Sequence, residues 1–121
     1  MIKNEYRKLN DFESKLLDRL LENPFPGRDD IRDQIKNCRV KMLDIGVDNY
    51  GSIEFETDSK SFAQVNQRVP LEARAFEDKV PIDVLIHVVD GKVKELEILK
   101  VDGSSIDKMP SPSEFKVTIR E

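Results

Sequence analysis

A chain of 121 residues fits one domain, 1–121, and is too short for two independent cores. Apolar residues (38%) and charged residues (36%) nearly balance, which predicts a modest core inside a well-solvated surface. The net charge of −4 is interspersed along the chain, so no basic stripe for nucleic acid is expected, and a basic protein partner is permitted.

The single cysteine, Cys38, forms no intramolecular disulfide, which suits a reducing compartment. The first fifteen residues carry charges where a signal peptide needs an apolar stretch. No run approaches the roughly 18 apolar residues of a membrane span. No membrane role is expected, and the expected location is the cytoplasm.

Residues 10 to 22 read as a helix. Phe12, Leu16, Leu17, Leu20 and Leu21 make one apolar stripe, and Asn10 with Glu13 makes a capping-box pattern. Asn23-Pro24 ends it, because the residue before proline leaves the α region. A second, shorter helix is expected from Asp30 to Asn37, with Ile31, Ile35 and Cys38 on one face.

After Arg39 the period becomes two. Val40 and Met42 face one way, and Leu43 and Ile45 the other, so this strand is expected to be covered on both sides. Asp48 to Gly51 is turn chemistry, and Ile53 and Phe55 return as a half-exposed strand. Residues 58–67 read as irregular. Val69, Leu71, Ala73 and Ala75 then share a face, with Pro70 marking an edge or a strand start.

Ile82, Val84, Ile86 and Val88 form one face of the clearest strand, and Asp90-Gly91 is a two-residue hairpin turn. The return strand steps by three from Val93 to Leu96. A bulge near Lys94 and Glu95 restores the phase, placing Leu96 opposite Ile86 and Ile98 opposite Val84. Phe115, Val117 and Ile119 suggest a short last strand. The predicted class is therefore α+β: two N-terminal helices packed on a five- or six-stranded, mainly antiparallel sheet.

Few residues suggest chemistry. His87, the only histidine, could act near neutral pH, yet Asp83 on the same face is about 13 Å away along a strand. Cys38 falls at a helix end, where the dipole disfavours a thiolate, and reads as a small buried residue. One cysteine and one histidine cannot build a structural zinc site. Asp44, Asp48, Glu54 and Glu56 flank a turn without the ladder of a calcium loop, and read as solvated strand positions. No phosphate loop, nucleophile elbow or dinucleotide fingerprint is present. No catalytic residue, cofactor or metal is assigned.

The stretch from Ala73 to Gly103, with its Asp90-Gly91 turn and Glu95-Leu-Glu-Ile98 strand, resembles a family of small bacterial proteins classed as a domain of unknown function. The first helix, the Gln34-containing helix and the strand-turn-strand from Val40 to Phe55 are similar as well. The resemblance implies this order of elements and a bacterial origin. It brings no catalytic residues. This chain has Asp78-Lys79 where the family has aspartate-glycine before the central strand.

Three readings stay open from the residues. The first is a non-catalytic binding domain of immunity or regulatory type. Its acidic surface of Glu54, Glu56, Glu72, Glu77, Asp78 and Asp83, with Phe76 as anchor, would meet a basic partner. The second is a small-ligand domain or modest enzyme with a pocket beside His87. The third is a homodimer formed through an exposed edge strand.

Overall fold

A computed structural model describes residues 6–43 and 51–120. The first helix, α1, spans Asp11–Leu20. Asn10 caps it as its spacing predicts: the Asn10 carboxamide accepts from Glu13 N at 2.7 Å, and Asn10 N donates back to Glu13 Oε1 at 3.0 Å. Glu13 is itself buried and also accepts two bonds from the Arg7 guanidinium, each 2.8 Å long. The second helix, α2, spans Arg28–Lys36, two residues ahead of the expected start.

Six strands follow: β1 Arg39–Met42, β2 Ile53–Glu56, β3 Leu71–Glu77, β4 Val80–Val89, β5 Lys92–Lys100 and, after a short 3-10 turn, β6 Lys116–Ile119. They form one sheet in the order β1-β2-β5-β4-β3-β6, with every neighbouring pair antiparallel. The arrangement is the α+β class read from the sequence.

One face of the sheet is the core. Leu71, Ala73 and Ala75 of β3, Ile82, Val84, Ile86 and Val88 of β4, and Val93, Leu96 and Ile98 of β5 all point there. They pack with Leu16, Leu17, Leu20 and Leu21 around α1 and with Ile31 of α2. Burying each of the valines, leucines and isoleucines among them contributes about 1.5–3 kcal/mol. Phe115, fully buried before β6, completes this side. Among the described residues no helix lies on the other face, which carries the alternate residues.

The β4–β5 hairpin follows the predicted register. Ile86 pairs with Leu96 and Val84 with Ile98, and the register slips between His87 and Val88, leaving Lys94 as the extra residue. Asp90 (φ 51) and Gly91 (φ 76) make the turn. A Cβ on Gly91 would run into the Phe62 ring, so close approach demands glycine there as well.

The preceding β3–β4 turn uses the same left-handed backbone without glycine: Asp78 has φ 48 and Lys79 φ 72. Leu43 is 40% exposed, so the end of β1 is open rather than covered on both sides. Ile45 and the turn residues Asp48, Asn49 and Tyr50 lie outside the described residues, as does Asp44. Pro70 directly precedes β3, an inner strand, so it marks a strand start and not an edge.

Gln34 of α2 locks the helices to the sheet. Its fully buried carboxamide donates to Gly91 O at 2.8 Å and Ser61 O at 3.1 Å, and accepts from Val93 N at 2.7 Å. Replacing it by alanine leaves the buried Val93 N without its acceptor, at about 1–3 kcal/mol, and takes one of two donors from Gly91 O and from Ser61 O, which keep Ala63 N and Lys92 Nζ. Urea unfolding of Gln34→Ala is expected to show a loss of about 3 kcal/mol, with Gln34→Glu at least as damaging because a carboxylate cannot donate to two carbonyls. Lys79→Gly is expected to raise stability by about 0.5–1 kcal/mol in the same assay, since glycine relieves the left-handed strain at some entropic cost.

Candidate functional site

The open face of the sheet holds most of the chain's chemistry-bearing residues. Period two along β4 puts Asp83, Leu85 and His87 there, and the bulge on β5 keeps Glu95, Glu97 and Leu99 on the same side. Glu72, Arg74 and Phe76 join from β3, Glu54 and Glu56 from β2, and Lys116 and Thr118 from β6.

Two regions stand out. At one end, Phe76 pairs with Pro81, and Val101 N donates to Pro81 O at 2.9 Å, which sets Val101 beside them. Phe76 is 57% exposed and Val101 50%. A charged pair borders this apolar group. Arg74 Nε and Nη2 donate to the two Asp83 carboxylate oxygens at 2.6 and 2.9 Å, a two-pronged pair, and further along β3 a single Arg120 nitrogen, Nη2, donates to both Glu72 oxygens at 3.0 and 2.8 Å. The Asp83 partnership holds the Arg74 guanidinium above its ordinary pKa.

Six residues further along β4, about 20 Å away, stands His87. Its Nε2 lies 2.8 Å from Glu97 Oε1, and Arg68 Nε lies 3.4 Å from its Nδ1. Glu95 is its direct partner across the strands. A ligand atom from each of His87, Glu95 and Glu97 lies within 4.8 Å of the others. Next to them, Glu54 accepts from Tyr6 OH at 3.0 Å and meets Lys94 at 3.6 Å. Burial, and then the Glu54 carboxylate, raise the Tyr6 phenol above its ordinary pKa.

The residues singled out in the sequence therefore divide. Glu54, Glu56, Glu72, Phe76 and Asp83 share the open face, but Glu72 and Asp83 are each neutralised by an arginine. Asp78 sits in the β3–β4 turn. Glu77 belongs to the core side and departs from the expected acidic surface. It is 8% exposed, meets Lys100 Nζ at 2.8 Å, and accepts from Asp107 N and Lys108 N at 3.2 and 2.6 Å. The cause is parity, since Glu77 shares its strand face with Leu71, Ala73 and Ala75. Its job is to hold the 101–108 loop.

His87 lies on the open face with Glu97 and lines none of four hollows found among the described residues. The largest, about 660 Å³, runs between α1 and α2 past Leu17, Leu21 and Ile35. Cys38 is buried, and that burial pushes its thiol up to about 11, so it stays protonated at neutral pH. Glu97 escaped the sequence reading. The predicted bulge sets it opposite Leu85, and a strand diagonal brings it to His87.

Against known families, residues 6–110 match a domain of unknown function, DUF6984. The chain belongs to this family. The match spans both helices and β1 to β5, while β6 follows it. No curated protein and no solved structure matches the chain. Among the described residues no helix is long and apolar enough to cross a membrane.

Lys100, together with the Lys108 and Asp107 amides, holds the Glu77 carboxyl below its ordinary pKa despite burial. A carboxyl lowered in this way stabilises the fold above the unfolded value of about 4.3, and the contribution is lost as pH falls through the folded value. Urea midpoints should therefore show Glu77→Gln less stable than the wild type at pH 7. The gap should close as the pH is taken well below 4.3.

Proposed function

We propose that this domain is a non-catalytic protein-binding module of the immunity or regulatory kind, acting in the bacterial cytoplasm on a basic partner through the open face of its sheet. The observation that carries the reading is the Phe76–Pro81–Val101 group at the end of that face. Two large apolar side chains stand half out in solvent, bordered by the Arg74–Asp83 pair. An apolar centre within a polar rim is the anatomy of a protein interface, and an exposed aromatic anchor is its usual energetic centre.

Charge supports the choice of partner. The chain carries −4 overall, and Glu54, Glu56, Glu95 and Glu97 gather on neighbouring strands of the same face. A basic partner would approach faster at low salt and lose that advantage as salt screens the field. Catalysis finds little support: the Cys38 thiol is protonated and buried, and His87 lines none of the described hollows.

Tagged wild type and Phe76→Asp should be compared in pull-downs from native lysate at low and high salt. One stoichiometric protein partner is expected on the wild type, reduced at high salt and absent on Phe76→Asp. Phe76 is exposed enough that the variant should melt with the wild type. A partner retained equally by Phe76→Asp overturns the assignment of this face. Light scattering that shows a dimer broken by Phe76→Asp replaces the foreign partner with a second copy.

A further inference from the structure

We infer that His87, Glu95 and Glu97 form a site for one divalent transition-metal ion on the open face, separate from the Phe76 end. The three ligand atoms lie within 4.8 Å of one another on two paired strands. Around a shared ion, ligands at about 2.1 Å sit roughly 3.4 Å apart, so a movement of about 1 Å by half-exposed side chains closes the set. The strands supply the rigidity. The bulge at Lys94 fixes Glu95 opposite His87, and bulges commonly re-aim side chains in this manner.

A second observation points to a cation. The partly buried Glu95 carboxylate makes no hydrogen bond or ion pair with any described residue, although it lies beside Glu97 and pairs across the ladder with Glu54. Lys94, its neighbour on β5, turns to Glu54 instead. Two carboxylates thus converge on one imidazole, and the positive charge beside it, Arg68, sits at its other ring nitrogen, Nδ1.

The donor set selects the ion. One imidazole nitrogen with two carboxylate oxygens suits zinc, cobalt, iron(II) or manganese, whereas magnesium and calcium prefer shells of oxygen alone. Solvent on the open side would complete the coordination. The ion takes His87 Nε2, which leaves the proton on Nδ1. Arg68, now 3.4 Å from Nδ1, must then swing away, and its exposed side chain has room to do so. Arg68 therefore opposes the metal both by charge and by its hydrogen bond.

The test is calorimetric titration of chelator-treated full-length protein with zinc chloride and manganese chloride in millimolar magnesium. One zinc per chain is expected, with manganese weaker, as the usual affinity order requires. His87→Asn and Glu95→Gln should each weaken zinc at least tenfold, and Arg68→Ala should tighten it severalfold. Glu72→Gln and Phe76→Asp should leave it unchanged. Zinc should also raise the melting temperature of the wild type and not of His87→Asn, a readout that reports binding to the folded chain. No binding, binding unaltered by His87→Asn and Glu95→Gln, or weaker binding by Arg68→Ala would each overturn the site. Circular dichroism of each variant guards against unfolding as the cause of a loss.

Discussion

A buried carboxamide governs how the layers of this protein fit. Gln34 reaches from a helix into the sheet and satisfies the carbonyl that closes the β4–β5 turn, a carbonyl of the 57–63 segment, and the amide that opens β5. Hydrophobic contact alone would let a helix slide on a β-branched surface, because such contact has no direction. Three directed bonds in a dry site remove that freedom, since any slip leaves polar groups unpaired. Neighbouring bonds extend the lock. Thr57 Oγ1 donates to Gln34 O, Ser59 and Ser61 hydroxyls donate to Asp33, and Lys92 Nζ donates to the Ser59 and Ser61 carbonyls. Those hydroxyl bonds hold the Asp33 carboxyl below its usual pKa.

This lock also accounts for the Phe62 ring. A phenyl group exposed by 56% invites reading as a docking residue. It lies instead over Gly91, while Ala63 N, the next amide, donates to Gly91 O at 2.9 Å. The ring closes the hairpin turn that Gln34 holds from below. Phe76, by contrast, pairs across the ladder with Pro81 on the open face.

Much of the fold was legible in the chain because local rules agreed with global ones. The Asn10–Glu13 capping box, the Asp90-Gly91 turn and the bulge at Lys94 each follow from a few adjacent residues, and each is present. Strand order was not legible. Period two assigns faces but names no partners, so nothing local says that β2 pairs with β5 or that β6 returns to β3. The long-range role of Gln34 was hidden for the same reason: a polar residue in a helix looks solvated until its partners 57 and 59 residues away are known. Glu77 was readable and misread. It lies five residues from Glu72, an odd step that sends the two to opposite faces of one strand. Glu97 needed the bulge and a diagonal together.

The one-sided sheet has a consequence for how such a protein can change. Its folding information sits on the inner face and in the Gln34 lock, while cross-strand ion pairs on the outer face are worth at most about 1 kcal/mol each. Side chains there can be exchanged in blocks without unfolding the chain, provided the period and the bulge survive. The domain is thus a board on which recognition can be rewritten, and close relatives can differ most in what they touch while remaining superimposable in how they stand.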